Sequence, residues 1–189
     1  MVSSSKQRIE EVTAGLLARR GYSGMGLKAV SESAGLPYGS IYHHFPGGKE
    51  QIAADSITQI GQVLGQLLEA LFAPGVNKTT LGAMFDFMAH RLATSDWTEG
   101  CSIGTPAQDG SAESEAVRLA CKEALDHMVD AIAKSLVASG HKKAAAHDLA
   151  MTIISTYEGA TILARTQRSR APLDAACKAM VRLVGAASA

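Results

Sequence analysis

The chain has 189 residues, of which 47% are hydrophobic, and its 18 basic residues balance 18 acidic ones. This length fits one domain or a small head on a larger body, and the zero net charge argues against a nonspecific polycation. The 3 cysteines have no C-x-x-C spacing, which argues against a disulfide framework or a zinc site and favours a reducing cytoplasm. No apolar run reaches the length of a membrane span, so we expect no membrane association.

The first predicted helix begins near the serines at residues 3–5 and ends at Gly21. Two short helices follow before Glu50, separated by the Gly-Leu-Pro sequence of residues 35–37. Each carries its apolar residues at helical spacing on one face. The sequence therefore predicts an all-α protein whose N-terminal head, residues 1–48, is a three-helix unit containing a helix-turn-helix.

The second short helix has an unusual surface. Its outward face carries hydroxyl, phenol and imidazole groups, those of Tyr38, Ser40, Tyr42, His43 and His44. Gly39 allows a surface to approach the backbone closely. Such a face suits phosphates and base edges. The pattern alone also permits a plainer interpretation, in which the tyrosines pack against a neighbouring helix and the histidines are simply solvated.

Downstream, the composition indicates five longer helices. They are predicted from Gly48 or Lys49 to about Phe72, from Asn77 to about Thr94, from Glu113 to Ser139, from Ala144 to Gln167, and from Pro172 onward. Residues 95–112 are the least regular part of the chain, and there we expect only a short helical turn near Ile103 to Asp109. The last two helices have more apolar width than one bundle face needs, which suggests a partner.

One family combines these features. The order of residues resembles the DNA-binding segment of the TetR family of bacterial transcriptional regulators over roughly residues 5 to 56. The resemblance is carried by Gly21-Tyr22, Leu27-Lys28, Val30, residues 34–36 (Ala-Gly-Leu), residues 39–46 (Gly-Ser-Ile-Tyr-His-His-Phe-Pro) and Lys49-Glu50. The glycine pair at residues 47–48 and the Gly-Cys-Ser-Ile-Gly sequence at residues 100–104 are similar to a branch containing lincomycin-resistance and flavonoid-responsive repressors.

The resemblance implies roles within the head. Tyr38, Gly39 and His43 stand where family members approach base edges. The phosphate-holding positions are those of Lys28, Ser40, Tyr42, His44 and Lys49. Met25 departs from the family, whose members commonly have a threonine there that caps the next helix and contacts phosphate. We therefore expect that helix to begin on its backbone amides alone.

The resemblance also implies a body, residues 49–189, that binds a ligand and forms a homodimer. The dimer would bind a palindromic operator on double-stranded DNA, and a small apolar or aromatic effector would release it. The predicted effector pocket comprises Leu64, Leu68, Phe85, Met88, Trp97, Cys101, Ile103, Met128 and Tyr157. The predicted dimer interface comprises Met151, Ile162, Ala176, Met180 and Leu183. No cofactor is implied.

Two other classes of protein stay open at this stage. An architectural DNA-binding protein would have a full core in place of the pocket. A small helical enzyme could use Cys101 with His90 or His127 and an aspartate, although no spacing singles out that set. A metal site is not expected, because His43 and His44 are adjacent on a helix and point about 100° apart.

Overall fold

The computed structural model describes residues 4–187. This part of the chain forms nine helices and no strand, which confirms the predicted all-α class. The helices are α1 (Ser5–Arg20), α2 (Leu27–Ala34), α3 (Tyr38–His44), α4 (Gly48–Phe72), α5 (Lys78–Thr94), α6 (Gly104–Glu113), α7 (Glu115–Ala138), α8 (Lys143–Gln167) and α9 (Ala171–Ala187). No helix among them is long and apolar enough to cross a bilayer.

The head begins and ends its first helix as its sequence predicts. Ser4 and Gln7 form a capping box, in which each side chain bonds the other residue's backbone N–H, at 3.3 and 3.0 Å. Ser3, the first of the predicted cap serines, lies outside the described residues. Gly21 ends α1 with a φ of +69°, and Gly35 ends α2 with a φ of +63°. Both values lie in the left-handed region that glycine adopts without strain.

The boundaries of α4 and α5 also match the predictions. α5 begins after Asn77, whose side-chain oxygen accepts the backbone N–H groups of Thr79 at 2.8 Å and Thr80 at 3.2 Å. These bonds satisfy two of the amides that a helix start leaves without partners. The side chain of Thr80 completes the cap by accepting the N–H of Asn77 at 3.0 Å.

The helix predicted within residues 95–112 was too short. α6 runs from Gly104 to Glu113, beyond the single turn expected near Ile103 to Asp109, and Glu113 belongs to it rather than to α7. Gly110 permits this helix to lie close to the end of α1, since a Cβ there would stand 2.8 Å from the Cβ of Tyr22. Tertiary contact therefore sustains a helix that its composition alone does not favour.

The described residues group into two compact units. The first unit comprises the described chain up to Gln62 together with Ser102–Leu125, and the second comprises Val63–Cys101 and the described chain from Asp126 onward. In the first unit, the fully buried core of the head includes Ile9, Leu17, Val30, Ile41 and Phe45. In the second unit, α8 and α9 pack on each other and on α5. The functional division at residue 48 stays a prediction.

Candidate nucleic-acid interface

The outward face of α3 is open to solvent while its inward face is buried. Tyr38 and Tyr42 are 47% and 46% exposed, and their ring centroids lie 5.8 Å apart. Ile41, between them, is fully buried. The plainer interpretation, packing against a neighbouring helix, accounts for only part of Tyr42, whose ring lies beside Gly48 at the start of α4 while about half of the side chain stays exposed. The buried isoleucine holds the helix in place, and the two phenols are presented side by side.

The remaining α3 positions extend this surface, which we call the α3 face (Tyr38, Gly39, Ser40, Tyr42, His43 and His44). His43 is exposed, His44 and Ser40 are half-buried, and the two imidazoles lie 5.0 Å apart. Gly39 is exposed, and a Cβ built there would have no atom within 4 Å. The fold itself therefore gives no reason for a glycine at this position.

The two lysines predicted to hold phosphate lie on α2 and α4, and they differ in how they are held. The Lys28 side chain is 87% exposed and forms only a 3.9 Å ion pair with Glu32 on the same helix. Lys49 is half-buried, donates a hydrogen bond of 3.3 Å to the carbonyl of Ser23, and lies 4.4 Å from the centroid of the Tyr22 ring. Lys49 thus connects the start of α4 to the turn between α1 and α2.

Met25 has a structural role. Its side chain is fully buried in the core, and α2 begins after Gly26 without any side-chain cap. The structure therefore agrees with the expectation that no side chain caps the start of α2, which leaves its backbone amides as the groups that could contact a phosphate. A methionine at this position fills core volume that a shorter threonine would leave empty.

Sequence reasoning missed a polar contact between α6 and the turn that precedes α2. The Asp109 carboxylate accepts the backbone N–H groups of Tyr22 at 3.0 Å and Ser23 at 2.9 Å. Ser23 also donates its hydroxyl to Glu113 at 2.6 Å. Burial disfavours ionised Asp109, but the hydrogen bonds from Ser23 and Tyr22 outweigh it and lower the pKa of this carboxyl below its ordinary value.

A second contact lies at the end of the same helix. Ser114, which follows α6, donates its hydroxyl to Glu50 of α4 at 2.5 Å. We call the residues of these two contacts the α6 anchor (Tyr22, Ser23, Glu50, Asp109, Glu113 and Ser114). The only hint of it in the sequence is that Asp109 and Glu113 are four residues apart and thus share a helix face.

Most of the predicted pocket residues lie in the second unit and are buried there. The buried ones are Leu68, Phe85, Met88, Cys101, Met128 and Tyr157, whereas Leu64 and Trp97 are half-buried. The rings of Phe85 and Tyr157 meet edge to face, 5.4 Å apart. Ile103 is buried in the first unit. The second unit also has a surface cleft of about 550 Å³, which shares no residue with the predicted set. It is lined by Glu69, Phe72, Ala73, Pro74, Gly75, Ala131, Lys134, Ser135, Ala138 and Ser139.

The predicted dimer residues divide by exposure. Met151, Ile162 and Leu183 are 43%, 46% and 42% exposed, which is unusual for large apolar side chains. Ala176 is half-buried. Met180 is only 7% exposed, because the packing of α9 against α5 and α8 places it in the core of its own protomer. The exposed apolar surface of α8 and α9 thus lacks Met180 and includes Leu163, which is 53% exposed and was not among the predicted residues.

Comparison with known proteins identifies this arrangement. Residues 9–55 match the model of the bacterial regulatory proteins of the tetR family, and residues 78–179 match that of the LmrA/YxaF-like C-terminal domain of transcriptional regulators. The chain belongs to the TetR family. It is a DNA-binding transcriptional regulator with an LmrA/YxaF-like body, which confirms both the family and the branch that the sequence suggested.

TetR-family relatives match the chain over most of its length. An HTH-type transcriptional regulator of Mycobacterium tuberculosis is 32% identical over 169 residues, 86% of each chain. The HTH-type transcriptional regulator LmrA of Bacillus subtilis is 28% identical over 173 residues, 89% of this chain and 90% of LmrA. A TetR transcriptional regulator of Legionella pneumophila shares the fold, with a TM-score of 0.85 at 22% identity and coverage of 96% and 98%.

Proposed function

We propose that this TetR-family chain is a repressor that binds a palindromic operator as a homodimer and is released by a small apolar or aromatic effector. Residues 1–48 bind DNA in this proposal, and residues 49–189 bind the effector and dimerise. The observation that carries the proposal is the α3 face, where the exposed Tyr38, Tyr42 and His43 and the half-buried Ser40 and His44 surround a glycine that the packing does not require.

Within this proposal the groups of the head have two tasks. Tyr38, Gly39 and His43 approach base edges and choose the sequence. Lys28, Lys49 and the side chains of Ser40, Tyr42 and His44 hold phosphates, and they set the register and the salt dependence. Two heads related by a two-fold axis would reach half-sites about 34 Å apart, or a multiple of that distance, in successive major grooves.

The second copy is proposed to cover the exposed apolar side chains of α8 and α9. In a monomer, the exposed apolar surface of Met151, Ile162 and Leu183 stays in contact with water, which is unfavourable in free energy. A partner presenting the same face would bury all three on each side, and such self-complementary contact is what a two-fold dimer requires.

The effector response is proposed to act through the spacing of the two heads. An effector that binds better to a body conformation with wrongly spaced heads lowers DNA affinity by the ratio of its affinities for the two conformations. A coupling of roughly 1 to 3 kcal/mol corresponds to about 5- to 150-fold release. The α6 anchor is suited to this task, because it fixes the turn before α2 through contacts that can break singly.

The test begins with DNase footprinting of the DNA upstream of this chain's own gene and of its neighbours. We expect one protected palindrome, and we expect lipophilic compounds that release it to change the fluorescence of Trp97 as they bind. Absence of any protected site would contradict operator binding. Compounds that release the operator without binding the body would contradict the effector mechanism.

A further inference from the structure

The first residue of α3 presents an aromatic ring to the outside. Tyr38 begins this helix and is 47% exposed, and the exposed Gly39 follows it. In helix-turn-helix proteins the N-terminal residues of the second helix contact base edges in the major groove. The part of Tyr38 that faces the bases, ring or hydroxyl, therefore decides which base pair this residue can select.

The hydroxyl of Tyr38 already has a partner in the protein. Tyr42 lies one helical turn further on, with its ring centroid 5.8 Å away and its ring plane inclined by 58°. Loss of hydration raises the pKa of Tyr38 above its ordinary value, and a hydrogen bond with the side chain of Tyr42 raises it further. A hydrogen bond that raises the pKa of a phenol has the protonated phenol as its donor, so Tyr38 donates its only hydroxyl proton to Tyr42. The hydroxyl of Tyr42 keeps its own proton for an outside acceptor such as a phosphate.

What remains of Tyr38 on the outside is the apolar surface of its ring. Gly39 has no side chain, and a Cβ built there meets no atom within 4 Å, so nothing at the next position separates this ring from an approaching duplex. In the major groove, base pairs present hydrogen-bond donors and acceptors together with a single apolar group, the C5-methyl of thymine. A ring placed against a donor or acceptor would remove its water without replacing the hydrogen bond, whereas contact with the methyl group removes apolar surface from water on both sides.

We infer that Tyr38 selects a thymine in each half-site of the operator, through contact between its ring and the C5-methyl group of that base. The inference rests on the proposed binding of a palindromic operator by a homodimer, and it assigns one base of the half-site to one side chain. Hydrogen bonding of the Tyr38 hydroxyl to a base is the competing interpretation, and it predicts a different result when the hydroxyl is removed.

The test uses the operator duplex that DNase footprinting defines, with thymine replaced by uracil. This replacement removes the methyl group and leaves base pairing intact, and it is made at one symmetric pair of positions in each duplex. Fluorescence anisotropy with the full-length protein gives the affinity for every duplex. We expect a pair of positions at which uracil weakens binding about 15-fold, which corresponds to two buried methyl groups at about 0.8 kcal/mol each.

Substitutions of Tyr38 connect this loss to its ring. In Tyr38→Ser the duplexes with thymine and with uracil at that pair should bind equally, because no ring remains to contact the methyl group. Tyr38→Phe keeps the ring without the hydroxyl and should retain the loss, which provides a test even if the serine variant fails to fold. Phe87→Ser removes a ring of matching exposure, 51%, from α5 and is the control that should also retain the loss. Each variant is judged by the ratio of its two affinities, so a general weakening of DNA binding does not imitate the effect.

Three results would overturn the inference. They are an operator that tolerates uracil at every thymine, an unchanged loss in Tyr38→Ser, and disappearance of the loss in Tyr38→Phe, which would assign base recognition to the hydroxyl. Each of these results is obtained with a protein that binds its operator, so each leaves the proposed function intact. Failure to bind any duplex would instead contradict the proposed function, and the inference with it.

Discussion

The carboxylate of Asp109 holds the backbone amide of Tyr22, 87 residues earlier in the chain, at 3.0 Å. It also accepts the next amide, that of Ser23, at 2.9 Å. Both amides belong to the turn between α1 and α2, where no helical partner is available to them. The orientation of the helix-turn-helix is thus tied to a side chain of α6, within the same compact unit.

Replacing Asp109 with asparagine should loosen this turn. The amide oxygen can accept one backbone N–H but carries no charge, so we expect a loss of about 1 kcal/mol in the free energy of unfolding, reduced by solvent screening at this half-buried site. Operator affinity should fall as well, because the turn positions α2 and α3. Urea unfolding and a gel-shift titration measure the two effects.

The control for this variant is Asp130→Asn, which makes the same charge change on the exposed surface of α7. It should leave both quantities unchanged. Equal operator affinities for wild type and Asp109→Asn would show that the α6 anchor does not position α2 and α3 for DNA binding.

The stabilising effect of Asp109 should depend on pH in a defined direction. Its pKa in the folded protein is lowered from the ordinary 3.8. The contribution is therefore fully present above the unfolded pKa, about 4, and is lost as the pH falls through the lower folded value. The difference in unfolding free energy between wild type and Asp109→Asn should be constant above about pH 5 and shrink towards pH 3. A difference that grew on acidification would contradict the assignment.

Gly39→Ala should separate folding from DNA binding. A Cβ at this position meets no atom within 4 Å, and alanine favours helix over glycine by up to about 1 kcal/mol. We therefore expect a melting temperature equal to or above that of the wild type, together with weaker operator binding, because the methyl group would stand between α3 and the DNA surface. Gly82→Ala in α5, where a Cβ is equally unhindered, should stabilise without changing DNA affinity. Unchanged operator affinity in Gly39→Ala would remove Gly39 from the interface.

Lys28→Gln tests the phosphate contacts without disturbing the fold. The Lys28 side chain is 87% exposed and its ion pair with Glu32 is long, so stability should barely change. Loss of one phosphate contact in each head, two per dimer, should weaken binding to every sequence and reduce the slope of log affinity against log salt by about 2. Fluorescence anisotropy at several salt concentrations measures this slope. Lys78→Gln at the start of α5 is the control, and an unchanged slope for Lys28→Gln would exclude this lysine.

Ile162→Glu should dissociate the dimer. Ile162 is 46% exposed in the protomer, so the charge harms a monomer little but would be buried by a partner. We expect sedimentation to show monomers and operator affinity to fall. Val137→Glu alters a side chain of matching exposure, 44%, on α7 and should leave the dimer intact. Met180→Glu should instead lower the melting temperature, since Met180 is buried in its own chain. A dimeric Ile162→Glu would place the interface elsewhere.

The sequence predicted those parts of the fold that depend on neighbours along the chain. Asn77 marked the start of α5 and Pro74 the end of α4, because caps and helix breakers act locally. The length of α6 escaped prediction. Its ten residues include two glycines and a proline, and its stability comes from contacts such as Gly110 against Tyr22 that no local pattern reveals.

The same limit applies to the candidate site. The outward direction of Tyr38 and Tyr42 follows from helical periodicity around Ile41, so the α3 face was predictable. The α6 anchor depends on residues far apart in the sequence. Periodicity also showed that α9 has two apolar sides, but it could not show that Met180 faces α5 and α8 rather than a second protomer.

Lys49 bears on how long the head would remain on DNA. Without DNA its ammonium group already has the Ser23 carbonyl and the Tyr22 ring as partners. If Lys49 holds a phosphate as proposed, breaking that contact returns the ammonium group to these partners, and rebinding of the phosphate must compete with them. The dissociation rate would therefore rise by the same factor on every operator. This internal competitor would then shorten residence in the same proportion on every operator, whichever site the α3 face selects.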